Sequence, residues 1–229
     1  ISPSQSSDYQ RNKAINSVFA NASVGFKNML FLEGSVRMDQ SSTLPKGNNT
    51  YFYPSVTGSF IFSELLSPEV KNVIEFGKVR AGFAKVGNDT DPYQIITTYS
   101  QYTNIDPTTP GYRLPNTLKN DQLKPESTTS FEAGLEMAFF KGRLGFDVSY
   151  YNSVTKDQIL PLSVSGTTGY TYKVVNSGKI QNKGVEFAIH GTPVESKWFT
   201  WNTSLTLSSN KNKVLELMDG VDYYKLTSA

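Results

Sequence analysis

The feature that most constrains the fold is a pair of alternating runs within residues 126–155, joined by a short turn at Lys141 and Gly142. Apolar side chains take every second position from Phe131 to Phe139 in the first run, and again in the second run. Because side chains alternate between the two faces of a strand, each run predicts a strand with one apolar and one polar face. Each apolar face spans about nine to ten residues, which is enough for a tilted strand to cross a bilayer. Strands of soluble sheets are usually about five or six residues long.

The same pattern recurs along the chain, and the connections between the runs alternate between short turns and long polar segments. Short turns at one end of the strands and long connections at the other are typical of outer-membrane β-barrels. The sequence therefore predicts an all-β fold, an antiparallel up-and-down meander of about eight strands forming a segment of a large transmembrane β-barrel. The predicted strands are 16–26, 30–38, 51–62, 78–86, 126–139, 143–155, 183–191 and 198–209.

Three segments outside these strands carry local predictions. A short helix on the turn side is expected to begin at Pro68, with Ser67 as its N-cap. Residues 159–164 and 170–175 are expected to form a small hairpin, since Gly166 to Gly169 supply turn residues between them. The tail, 210–229, is interpreted as a loop.

Composition argues against several functional classes. The formal net charge is +2, so no nucleic-acid partner is predicted. The chain has no cysteine and a single histidine, His190, which argues against a disulfide framework, a metal site and a Ser-His-Asp triad. We accordingly predict no enzyme activity, no catalytic residues, no cofactor and no metal.

The first residues, ISPSQSSDYQRNKAI, lack the basic region and apolar region of a signal peptide. An outer-membrane protein needs such a peptide for export. The chain is therefore either a soluble protein or an internal piece of a longer polypeptide, and we favour the second interpretation.

Four acidic residues stand out on the predicted polar faces of the strands. Paired carboxylates could perform acid–base chemistry. In a barrel the polar face lines a hydrated interior, where carboxylates pair with basic residues such as Arg80. We favour this second interpretation and predict that the four residues face the lumen: Glu132, Glu136, Asp147 and Glu186.

The long polar segment 87–122 carries four tyrosines whose rings could stack on sugars or contact a partner protein. Packing among the loops is the alternative. These possible ligand or partner contacts are Tyr93, Tyr99, Tyr102 and Tyr112. In the same segment, Asp89 and Asp91 could supply oxygen ligands for calcium, but a turn at the strand end fits the spacing better.

Six strings resemble, in order, the C-terminal barrel region of the SusC/RagA family of TonB-linked outer-membrane proteins of Bacteroidetes. The order and spacing of the strings make the resemblance specific. They are FLEGSVRMDQSS (31–42), YFYPSV (51–56), VRAGFAKVGND (79–89), LKPESTTSFEAGLEMAFFKGRLGFDVSYYNSVTKDQIL (123–160), NSGKIQNKGVEF (176–187) and NKNKVLEL (210–217).

This resemblance implies a large plugged barrel of about 22 strands, of which the chain would form an arc. It implies import of glycans or peptides across the Gram-negative outer membrane, energised through TonB, with a SusD-like surface lipoprotein as lid. The family's plug, TonB box and signal peptide are not found in this sequence.

A soluble β-sandwich that binds carbohydrate is the alternative to a barrel. In a sandwich, Leu135, Leu144, Phe146 and Val148 would fill a closed core between two sheets. In a barrel they would form part of an outward apolar band in contact with outer-membrane lipid.

Overall fold

A computed structural model describes residues 8–103 and 110–217. Within these ranges the chain is built mainly from β-strands, with three short helical segments in the connections. The helical segments are a 3₁₀ turn at Phe62–Leu65, α1 at Pro68–Lys71 and a 3₁₀ turn at Gly166–Thr168. The strands are β1 (Ile15–Phe26), β2 (Leu30–Ser41), β3 (Thr50–Ile61), β4 (Ile74–Asn88), β5 (Ser100–Thr103), β6 (Pro110–Arg113), β7 (Thr117–Leu118), β8 (Glu126–Phe139), β9 (Leu144–Lys156), β10 (Ile159–Ser163), β11 (Tyr172–Asn176), β12 (Lys179–Glu195) and β13 (Thr200–Glu216).

Eight long strands form one sheet in the order β1-β2-β3-β4-β8-β9-β12-β13, and each is antiparallel to its neighbours. Each long strand therefore pairs with the next long strand in the chain. The predicted up-and-down meander is confirmed. The remaining strands form a three-stranded sheet, β10-β11-β7, and a two-stranded ribbon, β5-β6, both within the long connections.

Tight turns close the hairpins at one end of the sheet. Lys27 and Asn28 both have positive φ, 51° and 54°, and Met29 N–H donates to the Phe26 carbonyl at 3.0 Å. Lys141 and Gly142 also have positive φ, 58° and 76°. Two central residues with positive φ match the right-handed twist of the flanking strands, which keeps such hairpins short.

Two of the helical segments, the 3₁₀ turn at Phe62–Leu65 and α1, lie at this same end, between β3 and β4. The helix begins at Pro68 after Ser67, as predicted, but the Ser67 side chain makes no capping hydrogen bond. The helix is only four residues long. No helix in the described part of the chain is long and apolar enough to cross a membrane.

The long connections, 42–49, 89–125 and 157–178, all lie at the opposite end, which we call the loop end. The predicted small hairpin is present there as β10 and β11. The last strand reaches Glu216, so the prediction of a loop from 210 was wrong over its first residues. Ladder pairing with β12 extends the strand to Glu216, although the segment has few apolar side chains. Residues 218–229 lie outside the described residues.

The register joins apolar side chains into a continuous row across the eight-stranded sheet. None of the four residues proposed to discriminate a sandwich from a barrel is buried in a core, and Leu144 is 38% exposed. The eight strands form one sheet and not two facing sheets, so the sandwich interpretation was wrong. The row consists of Phe26, Leu30, Phe60, Val79, Leu135, Val148, Phe187 and Leu207.

The described residues form a small closed core at the loop end. Leu44, Leu123 and Val174 are buried together there, with Tyr51 and Ile159 among the side chains packed against them. This core ties the long connections to one another and to β3.

Candidate functional site

The face of the sheet opposite the apolar row carries polar and charged side chains. Glu33, Lys78, Arg80 and Glu132 line a shallow depression of about 410 Å³ on this face. Alternation along the strands brings these side chains to one face. One register row on this face consists of Ser23, Glu33, Thr57, Gly82, Glu132, Tyr151, Gly184 and Asn210.

Arg80 on β4 reaches across β8 to β9. Its two terminal nitrogens donate to the Asp147 carboxylate at 2.6 and 2.9 Å, and Nη2 also donates to Ser149 Oγ at 2.6 Å. Gly134 lies between them on β8, and a Cβ built there would lie 2.7 Å from Arg80 Cζ. The missing side chain at Gly134 therefore leaves the space through which the guanidinium crosses the sheet.

The other three predicted acidic residues differ in their partners. Lys78 Nζ donates to Glu136 at 2.9 Å, on the same face as the Arg80 pair. Glu132 borders the depression, and Glu186 lies opposite Ser149 in the register. Among the described residues, Glu132 and Glu186 have no hydrogen-bond or ion-pair partner. Two of the carboxylates are thus engaged, and two are free to meet solvent or a solute.

Asp89 at the loop end is buried and held by three side chains. Its carboxylate accepts from Lys13 Nζ at 2.6 Å, Ser41 Oγ at 2.5 Å and Thr43 Oγ1 at 3.2 Å. Burial alone would raise the pKa of Asp89, but the hydrogen bonds and the Lys13 charge outweigh it and hold that pKa below its ordinary value. Asp91 is exposed. No group of three potential metal-ligating side chains occurs in the described ranges.

A second buried carboxylate, Asp39, lies nearby and was not identified from the sequence. It accepts from Arg37 Nε at 2.8 Å and from the hydroxyl of Tyr53. Asp39 and Asp89 join the N-terminal segment, β2, β3 and the end of β4 at the loop end. The sequence signal for Asp39 was its position just after the last outward apolar residue of β2, Met38.

Tyr93, one of the four tyrosines predicted as ligand or partner contacts, lines a cleft among the described loops. The cleft has a volume of about 620 Å³ and is also bordered by Tyr9, Ile95 and Lys119. Tyr93 has a positive φ of 64° and is 52% exposed, and its hydroxyl accepts from the backbone N–H of Asn12 at 3.4 Å.

The other three predicted tyrosines lie on or next to the β5-β6 ribbon. Tyr99 and Tyr112 are 69% and 63% exposed. Tyr102 lies opposite Gly111, whereas Tyr112 lies opposite Gln101, so the two rings are on opposite faces of the ribbon. The structure does not gather the four tyrosines onto one surface.

One antiparallel sheet of membrane-length strands, apolar on one face, polar on the other and with all long loops at one end, defines a wall segment of an outer-membrane β-barrel. The model of the family "TonB dependent receptor-like, beta-barrel" matches residues 1–225. The chain belongs to this family, and its place is the outer membrane of Gram-negative bacteria.

The curated relatives agree with this assignment. TonB-dependent receptor P26 of Formosa agariphila is 33% identical over 219 residues, covering 93% of this chain and 22% of that protein. TonB-dependent receptor SusC of Bacteroides thetaiotaomicron is 28% identical over 229 residues, covering 94% and 22%. The predicted relationship to SusC is confirmed, and the chain spans about a fifth of the length of these relatives.

Solved structures show the same fold. The RagAB peptide importer in its closed-closed state aligns with a TM-score of 0.85 at 24% identity, covering 93% of this chain and 24% of that one. The siderophore receptor PirA of Pseudomonas aeruginosa aligns with a TM-score of 0.58 at 18% identity, covering 88% and 35%. Both likenesses support the barrel-segment architecture.

Proposed function

We propose that this chain forms part of the barrel wall of a TonB-dependent outer-membrane importer that takes up nutrients, either oligosaccharides or peptides. The single observation that carries the proposal is the two-faced sheet, with an apolar row on one side and ion pairs on the other. Such a sheet separates lipid from a hydrated passage. The chain covers 22% of SusC, and in this proposal import is the activity of a complete receptor that includes this chain.

In this proposal the polar face lines the lumen, and Glu132, Glu136, Asp147 and Glu186 form part of the lining. Glu136 and Asp147 are paired with Lys78 and Arg80, which suits a rigid wall better than acid–base chemistry. Glu132 and Glu186 remain available to a passing solute. We therefore assign the four carboxylates to the passage and propose no catalytic step.

The long connections would contact the nutrient, and the partner protein of the receptor, on the cell surface. Tyr99 and Tyr112 are well exposed, and a tyrosine ring offers an apolar face for a sugar or a peptide side chain. Tyr93, which lines the cleft, and Tyr102, on the β5-β6 ribbon, are two further proposed contacts. A SusD-like lipoprotein is the proposed lid, and TonB the proposed source of energy, acting on a region of the receptor outside this chain.

Names of relatives support import without fixing the substrate. RagAB is named as a peptide importer, and SusC and the Formosa proteins as TonB-dependent receptors. The test is uptake of fluorescent oligosaccharides and fluorescent peptides by cells that carry or lack the complete receptor, each with and without TonB. One substrate class should enter only when both are present. Uptake that persists without TonB would contradict the proposal.

Loop variants would then separate surface contacts from the wall. Tyr99→Ala with Tyr112→Ala should weaken uptake at low substrate concentration, while Tyr172→Ala, an exposed tyrosine of β11, serves as control. The lipoprotein partner is tested by purifying the receptor from detergent-solubilised outer membranes. A receptor that is purified without any lipoprotein, from cells that show full uptake, would contradict the predicted partner.

A further inference from the structure

Three lysines cluster on the apolar face of the sheet, near its loop end. Lys183 on β12 lies directly opposite Lys211 on β13, and Lys213 lies two positions further along β13. Their neighbour Asn210 points to the polar face, where its side chain donates to the Tyr151 hydroxyl at 2.8 Å. Because side chains alternate along a strand, the three lysines project from the opposite, apolar face.

These lysines have no acidic partner among the described residues. Lys179 is the neighbouring lysine that is paired, at 2.6 Å to Glu216. Lys183 lies on an inner strand, and its register partners are Asn152 and Lys211. Like charges directly opposite each other destabilise a sheet. The arrangement is therefore costly in the isolated wall and gains stability if an anion lies against it.

The height of the cluster relative to the membrane follows from the apolar side chains below it. On β12 the apolar face runs from Val194 near the turn end to Val185 near the loop end. This is about ten residues or 33 Å of strand, which a barrel tilt reduces to roughly 25 Å, the height of an outer-membrane apolar band. Lys183 is the next residue on this face beyond Val185. The cluster therefore lies at the headgroup level of the outer leaflet.

We propose that Lys183, Lys211 and Lys213 bind the phosphate groups of phosphorylated lipid headgroups in the outer leaflet. Lysine ammonium groups near a membrane surface attract anionic headgroups, and each adds to the affinity. A lipid is favoured over a soluble phosphate because Val185 follows Lys183 on the same face, and the Phe187–Leu207 pair continues that face below it, so acyl chains can pack there. The proposal rests on the membrane location and not on import, so the two can fail separately.

The test measures binding of diphosphorylated lipid A to the complete receptor in detergent, with a phosphate-free glycolipid as the comparison lipid. Replacing all three lysines by glutamine should weaken lipid A binding roughly 100-fold. The matched control replaces three lysines of the short turns, Lys27, Lys141 and Lys197, by glutamine and should leave binding unchanged. A charge-retaining triple Lys→Arg variant should keep the binding.

Several results would overturn the proposal. Unchanged lipid A binding in the glutamine variant, or an equal loss in the turn-end control, would show that the cluster is not the site. Equal binding of the phosphate-free glycolipid would show that phosphate is not recognised. Displacement of lipid A by inorganic phosphate at similar concentration would show that a soluble anion, not a lipid, is the ligand. If the glutamine variant does not fold, loss of binding in the arginine variant would likewise contradict recognition by charge.

Discussion

Arg80 on β4 and Asp147 on β9 form a bidentate ion pair, at 2.6 and 2.9 Å, across an intervening strand. The strand between them, β8, contributes Gly134 at the crossing point. The Arg80 side chain therefore links two strands that are not adjacent in the sheet. The Arg80–Asp147 ion pair therefore depends on Gly134, although Gly134 makes no hydrogen bond to either side chain.

Gly134→Ala should lower the free energy of unfolding by about 0.5–1 kcal/mol, because the new methyl group displaces the Arg80 guanidinium from a partly exposed ion pair. Equilibrium unfolding of the receptor in lipid vesicles measures this. In an Asp147→Asn background the same substitution should cost less, since no ion pair remains to be lost. Gly34→Ala is the control, because no atom lies within 4 Å of a Cβ built at Gly34. Equal effects at Gly134 and Gly34 would contradict the crossing geometry.

Asp89→Asn should loosen the loop end, at a cost of about 1–3 kcal/mol, because a buried carboxylate loses its ion pair with Lys13. The backbone N–H of Ser41 donates a hydrogen bond to the Asn49 carbonyl at 2.8 Å, and the backbone N–H of Ser42 donates to the Ala14 carbonyl at 2.9 Å. Hydrogen exchange at these two amides should accelerate in the variant. Asp91→Asn, at an exposed carboxylate, should leave both rates unchanged.

Acid should loosen the same region in the unsubstituted protein. The pKa of Asp89 is lower in the folded state than its ordinary value. Its stabilising contribution is therefore complete above the ordinary pKa of about 4 and is lost as the pH falls through the lowered value. Hydrogen-exchange rates of the unsubstituted protein and of the Asp89→Asn variant should be compared at each pH. The two sets of rates should become equal only in acid. A constant difference down to the lowest pH would show that Asp89 titration does not control the region.

The strands and tight turns were predictable because their signals are local. Period-two alternation and the Lys141-Gly142 turn lie within a few residues of one another, and register then follows from the turn. The end of β13 was missed because residues 210–216 have few apolar side chains to mark a strand. Their pairing depends on β12, about thirty positions earlier.

The partners of the buried carboxylates could not be predicted from the sequence for a similar reason. Lys13 and Asp89 are 76 positions apart, and no local pattern connects them. Tyr93 and the ribbon tyrosines were recognised as a group because they share a segment of the chain. The ribbon register places Tyr102 and Tyr112 on opposite faces, which composition alone does not reveal.

Leu207→Arg should strongly impair folding into vesicles, by about 2–4 kcal/mol, because an arginine on the lipid face of a barrel lies in hydrocarbon. Ser208→Arg, at the next residue on the same strand, projects to the polar face opposite Glu186 and should be tolerated. Folding yield and the free energy of unfolding in the same vesicles measure both. Equal tolerance of the two arginines would show that the faces do not differ in environment.

The most direct test of the two-faced wall is a nitroxide scan of residues 203–209 on β13, in the complete receptor in lipid vesicles. The 229 residues contain no cysteine, so single introduced cysteines can each carry the label once any cysteines elsewhere in the receptor are replaced. Accessibility to oxygen should peak at 203, 205, 207 and 209, and accessibility to a water-soluble nickel complex at 204, 206 and 208. Uniform accessibility to the nickel complex along the strand would contradict the assignment of this sheet to a lipid-facing barrel wall.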